Sequence, residues 1–243
     1  MLEIGPGRGA LTKMLAECAG RLIATEFDRE LARNLKQQFA DKQNVSIVEA
    51  DFLSVSISEL VASTSQADSE RVKVIGNIPY YITSDIVLRL FAQHEHVDTI
   101  VLMLQKEVAD RVVAEPHTRD YGLLTVTAQL FTHVERLFTL PPGAFSPPPQ
   151  VHSSVLRMRV VPKAKQLGVD ANEFLDFCKL AFAQKRKTLF NNLRLRYEER
   201  SLKMALAKTG VEPNQRAEEL RLEALARIYK ELCEQARRSG ERW

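Results

Sequence analysis

The sequence is poor in cysteine, has no recognisable metal spacing and holds no apolar run long enough to span a membrane. Its three cysteines, Cys18, Cys178 and Cys233, are odd in number and scattered. That excludes a disulfide framework and points to a reducing compartment, the cytoplasm. Neither Cys-x-x-Cys nor His-Glu-x-x-His occurs, and the five histidines read as surface or structural residues, so no metal is expected. There is no signal-peptide pattern and no internal repeat. Net charge is slight, +3, but uneven. From residue 163 onward there are 18 Lys/Arg against 12 Asp/Glu, and before it 16 against 19. A basic tail on a mildly acidic front half suits a nucleic-acid partner.

What is present is an ordinary globular composition, 45% apolar over 243 residues. That is enough for one large domain, or one with a small companion. Residues 1–100 alternate short apolar strands with helical patterns, the signature of a parallel α/β sheet. The first strand, Met1-Leu2-Glu3-Ile4, runs straight into Gly5-Pro6-Gly7-Arg8-Gly9 and then a helix over 10–19. Strand, glycine turn and helix is the layout that brings backbone close to a ligand. The second strand, 22–25, ends in Glu26, with Asp28 two residues on. An acid about 20 positions after the glycine turn is where a ribose diol is held, and Glu26 is favoured because it stands at the strand tip. The third strand, 45–48, leads to Asp51.

The fourth strand, 72–76, leads to Asn77-Ile78-Pro79-Tyr80. This turn suits the capture of a base by its exocyclic amine. Asn77 offers a carbonyl oxygen to an N–H. Pro79 restricts Ile78 to an extended conformation, so that the Ile78 carbonyl can be aimed. Tyr80 offers a face for stacking. Four strand ends bearing these groups in order fall where open α/β sheets bind ligands. Nicotinamide enzymes share the first two features but have no use for Asp51 or for the Asn-x-Pro-Tyr turn.

These motifs resemble the S-adenosylmethionine motifs of the rRNA adenine N6-dimethyltransferases. The resemblance continues through Met103-Leu104-Gln105-Lys106-Glu107-Val108, a proline-rich loop from Pro141-Pro142-Gly143-Ala144-Phe145 to Val151, Phe182-Ala183-Gln184-Lys185-Arg186-Lys187-Thr188-Leu189, and Arg216-Ala217-Glu218. It covers essentially the whole chain and is nearest to the bacterial small-subunit type, which dimethylates two adjacent adenosines near the 3′ end of 16S rRNA. It implies a Rossmann-like methyltransferase fold, a mostly parallel sheet with a late antiparallel hairpin, followed by a small all-α domain. The domains are read as 1–162, catalytic, and 163–243, basic and helical. The implied cofactor is S-adenosylmethionine, with Gly5 and Gly7 near its methionine portion, Glu26 on the ribose, Asp51 on its adenine amine and Asn77 beside both ligands. Asn77 and Ile78 would hold the target amine on the turn fixed by Pro79, and Tyr80 and Phe145 would sandwich the target base. Lys185, Arg186, Lys187 and Arg194 are expected to meet RNA phosphates, on a helix over 185–196. The partner is 16S rRNA in a small-subunit precursor, with no metal and no membrane, and the chain is read as a monomer.

Further elements are read as a fifth strand over 97–104 and helices over 105–114, 123–131, 172–183, 201–208 and 217–237. Two late strands are expected over 135–140 and 153–160, and a surface loop over 63–71. One departure stands out: the family's segment ahead of the first strand, with its Gly-Gln-Asn-Phe-Leu motif, has no match here. Met1 is expected to stand where relatives have an internal residue. Two other readings remain open, a 23S rRNA dimethyltransferase of the resistance type and a non-catalytic ribosome-assembly factor.

Overall fold

A computed structural model describes residues 1–62 and 71–239, with only the backbone given for Tyr80 and for residues 238–239. The loop expected over 63–71 lies, apart from Arg71, outside the described residues. The chain divides into two compact units. One comprises Met1–Ala109 and His133–Val160, the other Asp110–Thr132 and Val161–Trp243.

The first unit is built on one sheet. Strand β1 (Leu2–Ile4) leads to helix α1 (Ala10–Cys18), β2 (Leu22–Glu26) to α2 (Arg29–Gln38), and β3 (Val45–Glu49) to α3 (Ile57–Ala62). Then come β4 (Val72–Asn77), α4 (Thr83–Ala92), β5 (Val97–Gln105) and α5 (Lys106–Val113), whose residues from Asp110 onward belong to the second unit, and finally β6 (Thr132–Leu140) and β7 (Ser153–Val160). The strand order is β3-β2-β1-β4-β5-β7-β6. The first five strands pair in parallel, and β7 runs antiparallel to β5. Thr139 bonds Ser154 while Glu135 bonds Arg157, so β6 and β7 run in opposite senses at the sheet edge, the expected hairpin. Apolar spacing explains the layering. Leu15 and Ala16 recur on one face of α1 and join Ala19 and Leu22 in a core that Leu11, Val45 and Ile75 extend.

The second unit is helical. Helix α6 (Leu123–Phe131) is joined by α7 (Ala164–Leu167), α8 (Ala171–Ala181), α9 (Leu189–Leu193), α10 (Glu199–Thr209) and α11 (Leu222–Ser239). Phe174, Phe177 and Tyr229 form its aromatic centre, with ring centroids 5.5–6.1 Å apart. The Tyr229 hydroxyl donates to Glu173 Oε2 at 2.7 Å. This unit takes in Asp110–Thr132, which the sequence groups with residues 1–162. The ties are tertiary: the buried Tyr121 hydroxyl donates to the Leu220 carbonyl, and the His117 N–H to that of Glu218.

Two helices differ from expectation. Residues 185–187 form a turn, not the start of a helix over 185–196. Thr188 is extended and accepts from the Asn191 N–H, so the helix begins only at Leu189. Asn192 Nδ2 donates to the carbonyl of Ala181, the last residue of α8, and to that of Gln184 in the turn that follows. Likewise 217–237 is broken, because Leu220 is extended between a 3₁₀ turn at Ala217–Glu219 and α11. Among the described residues no helix is long and apolar enough to cross a membrane. None of their His, Cys, Asp and Glu side chains form a group that could hold a metal ion.

Candidate functional site

The register sets the strand ends side by side. Ile4 pairs with Thr25 and Gly76, and Glu26 with Glu49. The Gly5 turn, Glu26, Asp51 and Asn77 therefore share the carboxyl edge of the sheet, around the point where the chain crosses from β3 to β4. A cleft of about 400 Å³ opens there. Ile4, Gly5, Phe52, Leu53, Ile82 and Ile86 give it apolar walls, and Glu26, Asp28 and Asp51 give it carboxylates.

Each acidic group is held by local backbone. Glu26 is only 7% exposed. Its Oε2 accepts from the Gly7 N–H and its Oε1 from the Asp28 N–H, both at 2.9 Å. Gly7 can turn its N–H onto Glu26 because it adopts φ +59, a left-handed conformation cheap only for glycine. Asp28 caps α2 and Asp51 caps the 3₁₀ turn Phe52–Ser54, each through Oδ1 at 2.9 Å. For Asp51 this leaves Oδ2 outside the cap.

A second cavity of about 290 Å³ is lined by Asn77, Ile78, Pro79, Phe145, Pro147 and Pro149. Pro79 borders both cavities. Ile78 is fixed by its buried side chain and by its N–H, which donates to the Met103 carbonyl. The Pro79 carbonyl accepts from the Ile82 N–H and the Thr83 hydroxyl, tying the turn to α4. Phe145 is half-buried and follows the 3₁₀ turn Pro142–Ala144, its N–H donating to the Pro142 carbonyl. The Tyr80 side chain lies outside the described residues.

Three residues go beyond the sequence reading. Phe27 and Tyr81 line the cleft yet are 75% and 85% exposed. Their neighbours Glu26 and Tyr80 in the chain were the available signal. Glu3, beneath the glycine turn, is 2% exposed, and its Oε2 has no hydrogen-bond partner. Burial pushes its carboxyl above the usual range; the Thr12 hydroxyl pulls it partly back, and the like charge of Glu26 adds the smallest upward push.

The second unit carries the basic residues. Lys185, Arg186, Lys187 and Arg194 are all exposed, the first three in the turn after α8 and the last just past α9. The Lys185 ammonium donates to the Arg119 carbonyl, a neutral acceptor.

Comparison with known proteins agrees. A family model described as "Ribosomal RNA adenine dimethylase" matches residues 1–234. A "Ribosomal RNA small subunit methyltransferase A" of Koribacter versatilis is 53% identical over 239 residues, 96% of this chain and 84% of that protein. Its namesake from Acidobacterium capsulatum is 51% identical over 96% of this chain and 81% of its own. Among solved structures, the 23S rRNA methyltransferase ErmE is 28% identical, with a TM-score of 0.67 over 96% of this chain and 90% of that one. A dimethyladenosine transferase from Plasmodium falciparum has the same fold, with a TM-score of 0.75 at 22% identity over 99% of this chain and 90% of that one.

Proposed function

We propose, because the chain belongs to the ribosomal RNA adenine dimethylase family, that it transfers methyl groups from S-adenosylmethionine to N6 of adenosines in 16S rRNA. The targets are two adjacent adenosines near the 3′ end, modified during small-subunit biogenesis. One observation carries the reading: the Asn77–Pro79 turn and Phe145 line one cavity, and Pro79 joins it to the carboxylate-lined cleft.

The cleft fits the cofactor by its chemistry. Among the described residues its lining holds three carboxylates and no lysine or arginine, which suits hydroxyls, an amine and a positive charge and disfavours a pyrophosphate. Glu26, already braced by two N–H groups, takes the ribose hydroxyls. Asp51 accepts from the adenine amine while capping its turn, and Gly5 and Gly7 border the methionine portion. When bound, S-adenosylmethionine supplies an electrophilic methyl group on a sulfonium.

The chain's own residues hold the acceptor. The N6 lone pair of adenine is delocalised into the ring, so the amine is a poor nucleophile. Asn77 Oδ1 and the Ile78 carbonyl accept its two hydrogens, which fixes the amine and favours pyramidal nitrogen. Phe145, with Tyr80, stacks on a base drawn out of the RNA. Alignment supplies much of the acceleration. The proton left on N6 after alkylation is acidic and departs to water, so no side chain need act as a strong base. The chain acts as a monomer in the cytoplasm. Lys185, Arg186, Lys187 and Arg194 meet rRNA phosphates. The small-subunit relatives, at 53% and 51% identity against 28% for ErmE, favour 16S over 23S rRNA.

The test is to incubate the chain with S-adenosylmethionine and small subunits from a strain lacking the dimethylase. N6,N6-dimethyladenosine in the 16S rRNA is then measured by mass spectrometry. The expected result is a signal that Asn77→Ala abolishes while cofactor affinity falls only modestly. Turnover retained in Asn77→Ala would remove Asn77 from the catalytic role.

A further inference from the structure

Helix α4 is hydrogen-bonded at its two ends to the segments that lead into the cavity walls. Its first turn holds Pro79, through the Thr83 hydroxyl, and its last residues hold the loop that follows Asp51. Ten residues long, it spans about 15 Å. At the far end Gln93 makes a two-point bridge. Its Oε1 accepts from the Ile57 N–H at 2.7 Å and its Nε2 donates to the Val55 carbonyl at 3.3 Å. Arg89 Nη2 donates to the same carbonyl at 2.9 Å, and Arg89 Nε is buried. The Ile57 N–H opens α3 and would otherwise be an orphan donor.

We infer that Gln93 and Arg89 are positioning residues that set the adenine-facing wall of the cofactor cleft from the helix that also carries the acceptor turn. This rests on the cofactor reading above. Val55 is the exit of the 3₁₀ turn Phe52–Ser54, and its N–H closes on Phe52. That turn begins at Asp51, whose carboxylate caps it, and it presents Phe52 and Leu53 to the cleft. One carbonyl gripped twice, with the next free donor gripped two residues later, leaves the turn little freedom. Without the bridge, Val55 and Ile57 take water instead, and Asp51 loses its fixed distance to a bound adenine. Ile86, midway along the same helix, lines the cleft directly, so the helix is itself part of the wall.

The experiment is calorimetric titration with S-adenosylhomocysteine and with S-inosylhomocysteine, which lacks the adenine amine. Wild type, Gln93→Leu, Arg89→Met and Gln93→Glu are compared. Wild type is expected to prefer the adenosyl ligand by about tenfold or more, as a site built to accept from an amine does. Gln93→Leu should lose most of that preference and Arg89→Met part of it. Gln93→Glu should lose part of it, since it still accepts from Ile57 but sets a carboxylate oxygen against the Val55 carbonyl in place of the Nε2 donor. A merely structural role would weaken both ligands in the same ratio, and an unchanged ratio in Gln93→Leu overturns the inference. If Gln93→Leu does not fold, the ratio in Arg89→Met decides. A wild type that binds S-adenosylhomocysteine without preference overturns the inference but leaves the cofactor reading standing. A wild type that binds neither ligand overturns both.

Discussion

Glu26 and Glu3 are buried carboxylates on either side of the same glycine turn, and their surroundings give them opposite characters. Glu26 accepts two backbone N–H bonds, whereas Glu3 Oε2 accepts none. Glu26→Ala frees the Gly7 N–H and, on the proposed cofactor reading, removes the acceptor for the ribose diol. Cofactor affinity should fall by about 1.5–3 kcal/mol, the usual worth of a charged hydrogen bond. Calorimetry showing unchanged affinity would move the ribose role to Asp28. For Glu3 the folded-state pKa is raised above its ordinary value of 4.5. The folded chain then binds that proton more tightly than the unfolded one. The stability so contributed is complete below the ordinary value and is lost as pH rises through the raised one. Glu3→Gln, neutral throughout, should therefore be more stable than the parent at neutral pH. It should lose that advantage at about pH 4, below the ordinary glutamate value. Urea unfolding at both pH values checks this, and an advantage independent of pH would place its origin elsewhere.

At the scale of elements, the Asn77–Pro79 turn depends on how closely β4 approaches β1. A Cβ on Gly76 would stand 2.7 Å from Ile78 Cδ1 and 3.0 Å from the Ile4 carbonyl oxygen. Ile78 is 1% exposed and cannot swing away, so the strain passes into the turn that carries Asn77. Gly76→Ala should cost about 1–3 kcal/mol in urea denaturation, the usual range for overpacking, and should depress methyl transfer along with it. Full activity at reduced stability would show that the turn absorbs the strain without moving Asn77. Strands and most helices were legible because apolar periodicity and glycine turns act locally. Residues 185–196 were misread because their helical pattern is interrupted by Thr188, whose capping hydroxyl and extended backbone restart the helix.

At the scale of the molecule, charge is divided between the two ends of the sequence. Residues 163–243 carry 18 basic against 12 acidic side chains. Replacing Lys185, Arg186 and Lys187 together by alanine should weaken RNA binding. The slope of log K against log salt should shrink by about 2–3, near one for each phosphate no longer neutralised. An unchanged slope would place the RNA surface elsewhere. The sequence by itself determined the alternating strands and helices, the glycine turn and the order of Glu26, Asp51 and Asn77 along one sheet edge. Each of these follows from periodicity, backbone preference or chain direction within a few residues. Only the tertiary structure decided which side chains line the two cavities, that Phe27 and Tyr81 stand at the rim, and that Gln93 reaches back 36 residues to Ile57. It also decided that residues 110–132 join the C-terminal helices, through bonds such as Tyr121 to Leu220, 99 residues apart. Such pairings are chosen by the mutual fit of buried surfaces and by the need to satisfy each buried polar group, and neither condition is written in any short stretch of chain.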